Sequence, residues 1–252
     1  MTDSNKTSVV IDDVKQFNRT FLSLICKVCD NACVKVDSKK IFSITSSSDN
    51  TIVIFSTYTQ SNDIESSLKL NIPDITRFSR VINCINKDTG VFDIDSNCIK
   101  YNSKSVRFKY HLLEDGIISV PGVSLDKIKK LNFSYSFEIS KQCVLSLIKG
   151  SSLVLDVDKL YFFIDDKTGG VFAEITDREA SNTDSYTQLV SPECTGTGSF
   201  DQMSINFEIM RIISSLQFDN IRVKINTDVN VLIFEVEIGN TKHNFICTTY
   251  VR

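Results

Sequence analysis

The sequence predicts an α+β fold of two similar domains, each made of two β-α-β-β-β units. Three observations predict it. Short stretches of alternating apolar and polar residues dominate the chain. Segments with apolar residues at helical spacing interrupt them. The order strand, helix, three strands then recurs along the whole length, which marks an internal repeat.

In the first unit "TSVVID" reads as a strand. In "VKQFNRTFLSLICKVCD" (14–30), Phe17, Phe21, Leu24, Ile25 and Val28 recur at i, i+4, i+7, i+8 and i+11, one face of an amphipathic helix. "VKVDSKKIFSITSSSDNTIVIFSTY" (34–58) holds three short strands separated by Asp-Ser-Lys and Ser-Ser-Asp-Asn turns. The second unit begins with the strand "SLKLNI". Pro73 and Asp74 open a helix over 74–87, with Ile75, Phe78, Val81, Ile82 and Ile85 on one face. "GVFDID", "NCIKYN" and "SVRFKYHLL" follow as strands. The third unit reads "FSYSFEIS", the helix "KQCVLSLIK", then "KLYFFIDD", "GGVFAEITD" and "SYTQLVS". The fourth reads "QMSINFEI", the helix "EIMRIISSLQ", then "IRVKINT", "VLIFEVEI" and "HNFICTTYV".

Between the second and third units, "EDGIISVPGVSLDKIKKLN" has neither a clean strand nor a clean helix period and contains Gly116, Pro121 and Gly122. It predicts a linker over 114–132 joining an amino-terminal domain (1–113) to a carboxyl-terminal one (133–252).

The totals fit a folded soluble protein, with 42% hydrophobic and 23% charged residues in 252. No apolar run is long enough to span a membrane, and the start carries no secretory pattern. Eight cysteines without an export signal read as reduced thiols. The densest group, "CKVCDNAC" (26–33), contains a Cys-x-x-Cys. A redox motif wants its first cysteine at a helix amino terminus, and Cys26 and Cys29 fall at a carboxyl terminus. No fourth zinc ligand is close in sequence, so apolar packing is the expected role.

The net charge of −3 excludes a uniformly basic nucleic-acid binder but not a segregated basic surface. The four helices (15–29, 74–87, 141–149 and 208–217) carry nine of the 28 lysines and arginines but two of the 31 acids. The bases are Lys15, Arg19, Lys27, Arg77, Arg80, Lys87, Lys141, Lys149 and Arg211. The acids, Asp74 and Glu208, sit in first turns, where the helix dipole favours them. On any one helix such bases are ordinary solvated charges. Repeated on four helices of an acidic protein, they suit a polyanion held by its phosphates. No aromatic interrupts these faces and no Asn/Gln/Arg-rich recognition helix is present, so the expected ligand is duplex DNA gripped without regard to sequence.

This pattern resembles the sliding clamps of DNA replication. "FNRTFLSLICKVCDNACVKVDSKKIFSITSSSDNTIVIF" and "SLKLNIPDITRFSRVINCI" look like the opening segments of the proliferating cell nuclear antigen family. The second half, including "VLIFEVEIGNTKHNFICTTYV", also resembles the compact clamps of tailed phages. The resemblance implies the DNA-clamp fold, with sheets outside and helices lining the hole of a homotrimeric ring closed head to tail. It implies pairing of "SVRFKYHLL" (105–113) with "SYTQLVS" (185–191) of the next copy. It implies a processivity factor, partnered by duplex DNA, a DNA polymerase and a clamp-loader ATPase, with no cofactor. Partner peptides would dock in an apolar pocket beneath the linker, at positions matching Ile44, Ile118, Val120, Pro121 and Tyr250. Each of these is equally readable as a packed apolar residue. The linker's basic end, "KIKK", departs from the family's acidic version.

No active site is expected. His111 and His243 lie in strands without catalytic companions, "GTGS" (196–199) lacks the lysine of a phosphate loop, and "DID" and "DVD" form no metal constellation. The expectation is a non-enzymatic protein acting inside cells at replicating DNA. The Asn-, Ile-, Lys- and Ser-rich usage suggests an AT-rich genome, and the compact carboxyl-terminal end suggests a virus or phage. The alternatives are a subunit of a heteromeric clamp, a β-rich assembly protein without a DNA role, and an enzyme using the Cys-x-x-Cys.

Overall fold

The computed structural model describes residues 7–154, 157–180, 183–196, 200 and 202–249. The first half of the chain runs β1 (Thr7–Ile11), a helical run over 14–28, β2 (Ala32–Ser46), β3 (Ile52–Ile72), α3 (Ile75–Asn83), β4 (Gly90–Asp95), β5 (Cys98–Asn102) and β6 (Arg107–His111). The helical run comprises α1 (Val14–Gln16), a π-helical stretch (Phe17–Leu22) and α2 (Ser23–Val28). The second half runs α4 (Leu125–Lys129), β7 (Tyr135–Ser140), α5 (Lys141–Gly150) with a 3-10 turn (Ser151–Leu153), β8 (Lys159–Ile164), β9 (Val171–Ile175) and β10 (Tyr186–Ser191). It ends with β11 (Met203–Asn206), α6 (Glu208–Ser214), β12 (Asn220–Asn226), β13 (Val231–Ile238) and β14 (Thr241–Thr248).

The chain forms two compact units. One comprises Met1–Ser48, Ile54–Gly122 and Ile238–Lys242, and the other Asp49–Val53, Val123–Glu237 and His243–Arg252. In the first unit, an antiparallel sheet has the order β1-β4-β5-β6. Its register aligns Val9, Phe92, Tyr101 and Phe108 in one row across the strands, and such cross-strand neighbours stabilise a sheet. Phe17, Phe21 and Leu22 of the helical run and Ile75, Phe78 and Ile82 of α3 belong to the same buried cluster. In the second unit, one sheet has the order β10-β9-β8-β11, and β14-β13-β12-β7 are neighbours in another. Phe137, Val223 and Phe234 align across the latter, and the Phe162 ring lies 5.8 Å from that of Phe137 and 6.2 Å from that of Phe234.

The same bonds fix the helices in both units. Val14 N–H donates to the Asp88 carbonyl just past α3, and Ile75 N–H to the Asp30 carbonyl just past α2. Lys141 N–H donates to the Asp219 carbonyl past α6, and Phe207 N–H to the Asp158 carbonyl past α5. Each helix therefore starts where its neighbour ends, so each pair is antiparallel. Side chains satisfy further orphan donors at these starts: Asp13 accepts from Gln16 N–H, Asp74 from Arg77 N–H, Ser140 from Cys143 N–H and Asn206 from Glu208 N–H.

Four details differ from the sequence reading. The first two of the three strands expected over 34–58 form one assigned strand, β2, yet the chain still turns back. Ser43 Oγ donates to the Cys33 carbonyl at 2.9 Å, whereas ten extended residues would span about 33 Å. Ser38, midway, takes a left-handed φ of 48°, so the reversal is too tight to break the pairing. β3 likewise absorbs both "TIVIFSTY" and "SLKLNI"; drawn straight it would span about 70 Å, far more than a small domain, so it bends. The linker contains α4, which starts with Lys127 and Ile128 N–H on the Ser124 carbonyl and buries Ile128. The second helix ends at Asn83, leaving Lys87 in a bend beyond it.

The first helix differs in kind. Ser23 N–H reaches back to the Asn18 carbonyl, an i→i+5 closure. The extra residue widens the apolar stripe, so Thr20 and Leu22 are buried beside Phe17 and Phe21, while Val28 is half-buried. Thr20 Oγ1 bonds the Gln16 carbonyl at 2.8 Å, satisfying the buried hydroxyl.

Candidate nucleic-acid interface

In the first unit the helical run and α3 meet along a seam of small polar groups. Ser79 Oγ donates to Asn18 Oδ1 at 2.6 Å, and the Thr76 and Ser79 hydroxyls lie against the Cys26 thiol. The residue before each of these four seam positions is buried: Phe17, Ile25, Ile75 and Phe78. The residue after each is an exposed base: Arg19, Lys27, Arg77 and Arg80. One helical step turns a side chain by about 100°. In an antiparallel pair, the same step from facing seam positions turns toward the same side of both helices. The four bases therefore share one side of the layer, opposite the core. Among the described residues none of the four has a carboxylate within ion-pairing distance. Lys15 is exposed too, but it pairs with Asp88 at 3.4 Å.

The second unit's helices look different. Lys141 is half-buried, and its ammonium donates to the Ser214 and Leu216 carbonyls and sits 4.6 Å from the Phe218 ring. It caps the carboxyl end of α6, where orphan carbonyls and the dipole favour a cation. Arg211 is exposed, pairs with Glu208 at 3.0 Å, and stacks 5.3 Å from the Phe207 ring. Lys149 is exposed near the end of α5, and Leu145 beside it is 42% exposed.

Of the expected pocket positions, Ile44 is half-buried on β2, and Ile118, Val120 and Pro121 are half-buried in the segment after β6. Tyr250 lies outside the described residues. Exposed Ile117 and Val123 add apolar surface to that segment. Its start is anchored by residues that the sequence did not single out. Asn71 Nδ2 donates to Asp115 Oδ1 at 2.8 Å, Lys69 pairs with Asp115 at 2.9 Å, and Leu113 N–H donates to the Asn71 carbonyl. The Lys69 ammonium and then Asn71 hold the Asp115 carboxyl below its ordinary pKa.

β6 and β10 are edge strands of their sheets. β10 exposes Leu189, and the Tyr186 ring at its start packs on Gly150, where an added Cβ would sit 2.3 Å from it. Leu153, just past α5, is 64% exposed.

The Cys-x-x-Cys lies in the last turn of the first helix. Burial pushes the Cys26 thiol up and the Cys29 thiol to about 12, opposite to a reactive thiolate. Among the described residues no cluster of three potential metal ligands is present. No described helix is long and apolar enough to cross a membrane.

This arrangement of strands and helices is the DNA-clamp fold. It is shared over 97% of this chain and 99% of the other with the proliferating cellular nuclear antigen of Entamoeba histolytica, at a TM-score of 0.73 and 13% identity. The A. fulgidus PCNA, solved with the C-terminal region of FEN-1 bound, matches over 98% of this chain and 99% of the other (TM-score 0.74, 12% identity). A putative DNA polymerase III beta subunit from Eubacterium rectale matches all of this chain with 67% of its own length (TM-score 0.73, 13% identity). No protein-family model matches the sequence, and no curated protein does either.

Proposed function

We propose that the protein is a DNA sliding clamp: a non-enzymatic homotrimeric ring that encircles duplex DNA and tethers a polymerase to it. The clamp fold, matched over essentially the whole chain, is the observation that carries this reading. Three further features support it. Four bases without a carboxylate partner among the described residues share one side of the first unit's helix layer and suit loose, sequence-independent contact with phosphates. β6 and β10 are edge strands of their sheets, and an edge that exposes Leu189 favours strand addition from another copy. The apolar segment around Ile117, Ile118, Val120, Pro121 and Val123 suits the short peptide of a replication protein, as a clamp with a partner's terminal segment bound illustrates. A clamp-loader ATPase would open the ring.

Mass in solution tests the assembly. The expected particle has three times the chain mass of 28.4 kDa and a central hole in electron micrographs. Leu189→Asp, which places a charge on the β10 edge, is expected to yield monomers. A wild-type chain that stays monomeric at high concentration, and becomes a ring after a different clamp-like subunit is added, would instead establish the heteromeric alternative. Polymerase run length on primed DNA, with and without the ring, tests the tethering.

A further inference from the structure

The two helix pairs occupy corresponding places in the two units, but their charges do not correspond. The first presents Arg19, Lys27, Arg77 and Arg80 on one side, all exposed and without a carboxylate partner among the described residues. On the second, Lys141 is spent on the α6 carbonyls, Arg211 is offset by Glu208, and Lys149 alone has no such partner among the described residues. Its other exposed positions are Gln142 and Leu145, a neutral amide and an apolar side chain. Exposed bases without a carboxylate partner among the described residues therefore number four on one layer and one on the other. Lys87 belongs to neither layer, because it follows the end of α3.

We propose that the duplex is held by the first unit alone, through Arg19, Lys27, Arg77 and Arg80, and that the second unit's helix pair is a near-neutral spacer. This rests on the sliding-clamp reading. A closed trimer then carries three basic patches and three weakly charged ones, so the DNA has preferred positions rather than a uniform lining. Phosphate contacts made by exposed side chains are dominated by counterion release, so the number of bases engaged is readable from the salt dependence of binding.

The test uses a linear duplex of random sequence and fluorescence anisotropy of the full chain over a salt series. Arg77→Gln with Arg80→Gln should lower the magnitude of the log K against log salt slope by about 2, near 0.9 per lost contact, and weaken binding at least about tenfold at low salt. Lys149→Gln with Arg211→Gln should change the slope by less than about 1 and binding by less than about threefold. Arg77→Lys with Arg80→Lys should keep the wild-type slope, which separates charge from any structural role of the side chains. Equal losses from the two glutamine pairs, or a larger one from the second, overturn the partition but leave the clamp reading standing. A wild-type ring with no measurable affinity for duplex even at low salt overturns both.

Discussion

The first unit's helix run and the second unit's α5 start from equivalent bonds, yet they are built differently. The first has 15 residues, a π turn, and a seam of Asn18, Cys26, Thr76 and Ser79. The second is a regular helix of ten residues whose leading lysine reaches across to cap its neighbour. One topology thus accepts two seams. A side chain's position on a helix does not decide whether it faces a ligand or the next helix.

The largest expected effect tests the π turn. Leu22 is fully buried because of it, as Leu147 is on α5 by ordinary spacing. Leu22→Ala and Leu147→Ala should each destabilise the chain by about 2–5 kcal/mol in denaturant melts. A loss below about 1 kcal/mol at Leu22 alone would place it on the flank and sink the π-turn account.

Next comes the cap. Lys141→Met keeps the stem beside Phe218 and removes the charge-assisted bonds, so stability should fall by about 1.5–3 kcal/mol with the DNA salt slope unchanged. The opposite pattern, an unchanged melt and a shallower slope, would return Lys141 to the DNA-facing set.

The smallest effect concerns the thiols. Exposed Cys84 should react with iodoacetamide near pH 8, whereas Cys29, pushed up to about 12 by burial, holds little thiolate at that pH and should react only after unfolding. Mass mapping of the labelled sites checks this, and early labelling of Cys29 would contradict its packing.

The repeat was legible because strand alternation and helical stripes are local signals. Phe17, Phe21, Leu24 and Ile25 fall on the buried side as their spacing predicts. The clamp fold likewise emerged from the order of elements, although identity with the matched structures is 12–13%. What the sequence hid depends on distant partners. Lys141 and its acceptor Ser214 are 73 residues apart, and Asn71 and Asp115 are 44 apart. The bonds to the four aspartates at 30, 88, 158 and 219 leave no mark in the sequence, because their main-chain carbonyls, common to every residue type, accept them. The apolar period continues to Ile85, two residues past the last residue of α3, so it predicts a helix that reaches Lys87 where the structure ends it at Asn83.

The π turn also sets the phase of the helix. Arg19 and Lys27 are eight residues apart, and at about 100° each they would overshoot two full turns by about 80°. The additional residue in the turn closed by Ser23 on Asn18 takes up most of that excess. It works like one added tooth on a gear, bringing Lys27 back over Arg19 and Cys26 back over Asn18. Deleting a single residue between Phe17 and Leu22 would leave the composition of the helix almost intact and still swing its second base away from the line of the first.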